Sequence, residues 1–153
     1  MHSTGQLTSF KEGISHEIDL KEDEPQVIQQ MLIYFYSCYY DDEVPTSACL
    51  SFNAKMYAVA DKYDISLLKK TAQEKFARAM KDYDWADPAD FLSATEVTYS
   101  TTLSSDKGLR DLIMSAIKEK QQQLRGNEGY RTLIKTKLAN GDFALDVVDA
   151  LTE

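Results

Sequence analysis

Residues 22–40 read Glu22-Asp23-Glu24-Pro25-Gln26-Val27-Ile28-Gln29-Gln30-Met31-Leu32-Ile33-Tyr34-Phe35-Tyr36-Ser37-Cys38-Tyr39-Tyr40. This stretch predicts a helix that opens at Pro25. Proline suits the first helical position, because its missing N–H has no intrahelical partner there. The three acids ahead of it complement the positive end of the helix. Val27, Met31, Phe35 and Tyr39 form one i+4 ridge, and Ile28, Leu32, Tyr36 and Tyr40 form the ridge beside it. Two adjacent ridges make a wide apolar face, so the helix is expected to be central. Asp41-Asp42-Glu43 follows where the helix dipole disfavours acid, and is expected to open a solvated loop through Pro45, Thr46 and Ser47.

Toward the N-terminus, Ile14-Ser15-His16-Glu17-Ile18-Asp19-Leu20 carries the one good strand signal in the chain. Ile14, Ile18 and Leu20 share a face, Glu17 and Asp19 oppose it, and His16 breaks the alternation. A strand must pair its backbone groups. No other stretch offers an obvious partner, so either another chain supplies one or a preceding segment once did.

Toward the C-terminus the signal is helical throughout. Phe52, Met56, Ala60 and Tyr63 fall on one face. Leu68, Ala72, Phe76, Ala79, Met80 and Tyr83 mark the next helix. Asp87-Pro88 opens another, carrying Phe91, Leu92, Thr95 and Tyr99. After a polar link over 100–107, Leu109, Leu112, Ile113, Ala116, Ile117 and Leu124 mark a long helix that Gly126-Asn127 breaks. Tyr130, Leu133, Ile134 and Leu138 define a further helix ended by Asn140-Gly141. Phe143, Val147, Val148 and Leu151 define a last one. Asp23, Asp64, Asp87 and Asp142 are read as helix caps. The fold class is therefore mainly α: one or two short strands, then about six to seven helices.

Composition agrees. The chain has 153 residues, with only six glycines and three prolines, which argues against many hairpins. Its net charge is −8, and nine basic and seventeen acidic residues fall in 1–100, with eight of each in 101–153. Nucleic-acid binding needs clustered cations to neutralise phosphate, so it is not expected. Eight basic residues do lie between Lys107 and Lys137, but with little aromatic interleaving, and they read as a solvated helical surface. No apolar run reaches the length of a membrane span, and the first residues lack a secretory pattern. With two cysteines and no disulfide framework, an intracellular setting, nucleus or cytoplasm, is expected.

Residues 10–76 resemble the second half of a BTB/POZ domain, most closely the fungal type. The matching pieces are Phe10-Lys11-Glu12-Gly13, Ile18-Asp19-Leu20, Glu22-Asp23-Glu24-Pro25 and Met31-Leu32-Ile33-Tyr34-Phe35-Tyr36 with Tyr39-Tyr40. Tyr57-Ala58-Val59-Ala60-Asp61-Lys62-Tyr63-Asp64-Ile65 follows, with Leu68 and Ala72. The family's first half, a β-hairpin with two helices, has no counterpart. The resemblance implies a truncated domain over 1–83 and a helical extension over 84–153. It also implies dimerisation or a substrate-adaptor role, because a hydrophobic-x-Glu triplet before this strand contacts a cullin scaffold in adaptor members of the family. Phe10 and Glu12 match that triplet.

No arrangement of residues points to catalysis. His2 and His16 are not spaced to form a metal site with Cys38 and Cys49. Both cysteines read as small buried hydrophobes. No acid/base carboxylate pair stands out. Gly126-Asn127-Glu128-Gly129 lacks the Lys-Ser/Thr ending of a phosphate loop. The expected function is a non-enzymatic protein-interaction module without cofactor. Its partners would be protein: a second copy, another BTB chain, or a cullin scaffold. Tyr34, Tyr36, Tyr39 and Tyr40 would supply core or interface. The alternatives are a small helical enzyme or ligand-binding domain, or a truncated product without independent function.

Overall fold

The computed structural model describes residues 22–43, 48–137 and 141–152. The predicted strand over 14–20 lies outside them. Among the described residues there are seven helices: α1 Pro25–Ser37, α2 Cys49–Lys62, α3 Ser66–Lys81, α4 Ala89–Thr101, α5 Gly108–Arg125, α6 Glu128–Lys137 and α7 Gly141–Thr152. No strand occurs among these residues.

The central helix is α2, not α1. It packs against α1, α3 and α4, and residues on all its sides are buried: Leu50, Phe52, Ala54, Met56, Tyr57, Val59 and Ala60. Small side chains such as Ser51, Ala54 and Ala60 let neighbouring helices approach from several directions. By contrast, α1 packs on α2 along one side, burying Val27, Gln30, Met31 and Tyr34.

One apolar core runs from Val27 of α1 to Phe143 of α7. Leu68, Ala72 and Phe76 face it from α3, Phe91 and Ala94 from α4, and Leu109, Ile113, Ile117 and Leu124 from α5. The last helix, α7, adds Phe143, whose ring meets Tyr99 edge-on at 5.0 Å. Arg110 of α5 is buried beside it. Its guanidinium stacks over Tyr99 at 4.4 Å, donates to Thr102 and pairs with Asp142 at 3.3 Å.

The helix ends differ from expectation. Pro25 opens α1 as predicted. Asp87 Oδ1 accepts the N–H of Ala89 at 3.2 Å and does close the start of α4. Asp64 instead sits in the left-handed region at φ 57°, where Asp is tolerated because its short side chain can bond locally. Asp23 pairs with α2, and Asp142 lies in the first turn of α7, where it pairs with Arg110. Short acids mark helix starts in sequence, but the Asp23 carboxylate is taken up instead by Lys62 and Tyr63.

Candidate interaction surface

The six residues Met31–Tyr36 are all apolar or aromatic, so no polar position decides which side of α1 turns inward. Packing against α2 and α3 decides it. Tyr34 turns inward, and its hydroxyl lies 3.4 Å from Thr71 Oγ1 of α3. Tyr40 is fully buried. Both predicted ridges split as a result: Val27, Met31 and Tyr40 face the core, whereas Phe35, Tyr39, Leu32 and Tyr36 do not. Leu32, Ile33, Phe35 (56% exposed), Tyr36 (92%) and Tyr39 (55%) face outward. Of the four candidate tyrosines, two are core and two are surface. Phe10 and Glu12 lie outside the described residues, so nothing brings them to this face.

The stretch from Pro25 to Tyr40 contains no charged residue. A solvated helix face ordinarily carries charge opposite its apolar stripe. That missing charge is the sequence signal for the surface, and hydrophobic periodicity alone passes over it. At about 200 Å² per aromatic side chain, the exposed parts of Phe35, Tyr36 and Tyr39 present about 400 Å². With Leu32 and Ile33 the patch reaches the size of the largest apolar patch on a typical monomer, which is often functional.

The C-terminal end of this face is held rigidly. Cys38 takes the left-handed conformation at φ 55° and donates its N–H to Tyr34 O at 2.8 Å, closing the helix. It is exposed, contrary to the buried role expected of it, because the left-handed turn carries it away from the core. Ser37 Oγ donates to Ile33 O and Tyr39 O and accepts the N–H of Tyr39. Lys75 of α3 lies 4.5 Å from the centre of the Tyr39 ring. An outward aromatic fixed in this way loses little entropy when a partner covers it.

Behind Tyr39 is a buried polar network. Tyr40 Oη donates to Asn53 Oδ1 at 2.5 Å, and Asn53 Nδ2 donates to Asp42 Oδ2 at 2.8 Å. Asp42 pairs with Lys75 at 3.2 Å and accepts from the Cys49 thiol at 3.4 Å. Asp42 is therefore an anchor rather than the solvated loop residue predicted, because these donors replace the water it gives up. Burial raises its pKa, but the Asn53 hydrogen bond and the Lys75 charge outweigh that and hold it below the usual carboxylate range. Burial and the Asp42 charge push the Cys49 thiol up to about 12, which keeps it protonated and unreactive. Burial and the same charge raise Tyr40.

The other end of α1 is also polar. Asp23 accepts from Tyr63 Oη at 2.7 Å and pairs with Lys62 at 3.0 Å, and Glu24 pairs with Lys55 at 2.7 Å. An open groove of about 490 Å³ lies beside these residues, with Val27, Val59 and Val97 among its lining. The remaining clusters join helices: Tyr57 and Lys69 converge on Asp106, and Tyr99 donates to Asp146. Among the described residues every buried polar side-chain atom has a hydrogen-bond partner, and no group of three or more His, Cys, Asp or Glu could hold a metal. No described helix is long and apolar enough to cross a membrane. Comparison with protein-family models, with curated proteins and with solved structures finds no match for the chain.

Proposed function

We propose that the protein is a non-enzymatic protein-interaction module whose docking surface is the outward face of α1. The observation that carries this reading is the charge-free stretch Pro25–Tyr40, with four large apolar side chains exposed on α1 and Tyr39 pinned just beyond its end. Aromatic residues in such a patch are the usual energetic anchors of an interface. The dimerisation or adaptor role implied by the BTB/POZ resemblance belongs to the same class. Within it, Phe10 and Glu12 would contact a cullin scaffold, and a pull-down with Phe10→Ala and Glu12→Ala tests that contact. Two free thiols fit an intracellular, reducing setting.

The test compares wild-type chain with Tyr36→Asp. Tyr36 touches little of its own fold, so the variant keeps its cooperative melt. A partner purified on the wild type must bind it at micromolar affinity or better and must lose the Tyr36→Asp variant. A partner that binds both equally overturns the reading.

A further inference from the structure

Part of the basic run between Lys107 and Lys137 gathers around a second open groove, of about 380 Å³, where α5 meets α6. The described residues that line it are Arg125 of α5 and Tyr130, Arg131, Ile134 and Lys135 of α6. On α6 these form two i+4 rows side by side, one apolar and one cationic, each spanning about 6 Å. Tyr130 and Ile134 are the apolar row, and Arg131 and Lys135 the cationic one. Arg125 adds a third cation from the end of α5. All three cations are exposed. Arg131 Nε donates to Arg125 O at 2.9 Å, which holds its guanidinium against the last turn of α5.

Two features set this groove apart from a solvated helix face. Its charge is unanswered: among the described residues no ion pair reaches Arg125, Arg131 or Lys135. The nearby Glu119 is already paired with Lys120. Glu128 of α6, and Glu96 of the α4 helix that packs on α6, form no ion pair with the three. The other feature is Tyr130. It is only 7% exposed, yet its hydroxyl has no hydrogen-bond partner among the described residues, and its one bond is from the backbone N–H to Asn127 Oδ1. Every described side-chain polar atom that is wholly cut off from solvent does have a partner. The Tyr130 hydroxyl therefore opens to water, and the groove is the opening that its side chain lines. Burial raises its pKa against the opposing Arg125 charge, so the hydroxyl keeps its proton at neutral pH and can donate it in a hydrogen bond.

Two arginine forks, one ammonium and one unbonded hydroxyl thus stand beside an apolar floor. Arginine forks match carboxylate geometry, and clustered arginines are a recurring way to read acidic motifs. An open groove cannot bury most of a free small molecule, as ligand sites do. It suits one side chain of a longer chain, with acid on either side of it.

We propose that this groove docks an acidic peptide segment of a partner protein, with one apolar side chain over Tyr130 and Ile134 and flanking Asp or Glu carboxylates on Arg125, Arg131 and Lys135. The Tyr130 hydroxyl donates to one of those carboxylates. The site is separate from the outward face of α1 and does not rest on it.

The test uses the whole chain and three short labelled peptides, read by fluorescence anisotropy. One carries a Leu with Asp and Glu on both sides, the second has Ser in place of Leu, and the third has Lys in place of the acids. The acidic Leu peptide is expected to bind at least about tenfold more tightly than the other two, and about 0.5 M NaCl should weaken it. Arg131→Glu and Lys135→Glu should each weaken it about tenfold. Both side chains are exposed, so these variants keep the wild-type melt. Lys118→Glu, the same charge change in a different groove, should have no such effect. Tyr130→Phe keeps the floor and should weaken binding about threefold. Tyr36→Asp should leave binding unchanged, which separates this site from the α1 face. No binding, equal binding of the Leu and Ser peptides, or an equal loss in Lys118→Glu would overturn the inference. Displacement of the peptide by inorganic phosphate alone would reduce the groove to a simple anion site and overturn it too. Light scattering that shows a dimer broken by Arg131→Glu would identify the occupant as a second copy instead.

Discussion

The Asp90 carboxylate caps the helix of Leu50 from forty positions away. Its Oδ2 accepts the Leu50 N–H at 2.7 Å and its Oδ1 accepts the Ser51 N–H at 3.1 Å. The first turn of α2 has no side-chain cap from its own N-cap residue, Ala48. Thus α4 supplies in trans what the local sequence omits, and in doing so fixes α4 against the central helix. Charge beside a helix N-terminus adds to the hydrogen bonds. Asp90→Ala is expected to destabilise the fold by about 1–2 kcal/mol, and Asp90→Asn by less. Urea unfolding measures both, and equal stability of Asp90→Ala and wild type would show that water caps α2 as well.

Tyr40 is a second test of polar satisfaction. Removing its hydroxyl with Tyr40→Phe leaves Asn53 Oδ1 buried without its donor. The expected loss is about 1–3 kcal/mol, the penalty for an orphaned buried acceptor. Changing Asn53→Leu as well removes that orphan but strips Asp42 of a donor, so the two losses should not add. A double-mutant cycle by chemical denaturation reads the coupling, and strict additivity would mean the network does not act as a unit.

How much of this was legible in the sequence differs between elements and faces. Pro25 and the apolar run behind it placed α1, and Gly126-Asn127 placed the end of α5. Leu68, Ala72 and Phe76 gave the buried side of α3 correctly, because polar residues alternate with them. The inner side of α1 was not legible. An uninterrupted apolar run from Met31 to Tyr36 gives hydrophobic periodicity no polar reference, and both ridges look equally buried. The centrality of α2 was hidden for the opposite reason. Its small and polar residues lower its mean hydropathy, yet they are what lets three helices pack around it. Asp42 reads as a loop acid and nothing local singles out Asp90, since their partners Asn53, Lys75 and Leu50 are distant in sequence. The exposed apolar side of α1 could have been read from the lack of charge between Pro25 and Tyr40.

The two thiols should separate cleanly under native conditions. Cys38 is exposed, whereas Cys49 is half-buried, hydrogen-bonded to Asp42 and pushed up to about 12. Only the thiolate reacts. With an aromatic disulfide reagent at neutral pH, one equivalent is expected at once and the second only on unfolding. Cys38→Ser should remove the fast phase alone. A fast phase that survives Cys38→Ser would contradict the Asp42–Cys49 contact.

Acid should weaken the fold through three carboxylates. Asp23, Asp42 and Asp106 all stand below the usual value despite burial, which opposes the shift, because hydroxyl, amide or lysine donors hold them ionised. Below the unfolded value of about 3.9 the unfolded chain binds protons that the folded chain still excludes. The stability from these groups is therefore fully present above about pH 4 and is lost as pH falls through their folded values. Asp42→Asn should flatten the acid limb of a plot of melting temperature against pH. An unchanged acid limb would mean that Asp42 titrates alike in both states.

Gly108 has no room for a side chain. A Cβ there would overlap Tyr57 Oη and stand 3.1 Å from Tyr57 Cζ. The hydroxyl cannot simply swing away, since it donates to Asp106 at 2.5 Å, and Asp106 also accepts the Gly108 N–H and pairs with Lys69. Gly108→Ala must break the Tyr57–Asp106 bond or displace the start of α5. Overpacking of this kind costs about 1–3 kcal/mol. Tyr57→Phe removes the clashing oxygen at the cost of its hydrogen bond. The double variant should then lose less than the sum of the two singles, because the bond is lost only once. Thermal melts of the three variants measure this, and additive losses would place the alanine methyl somewhere other than against Tyr57.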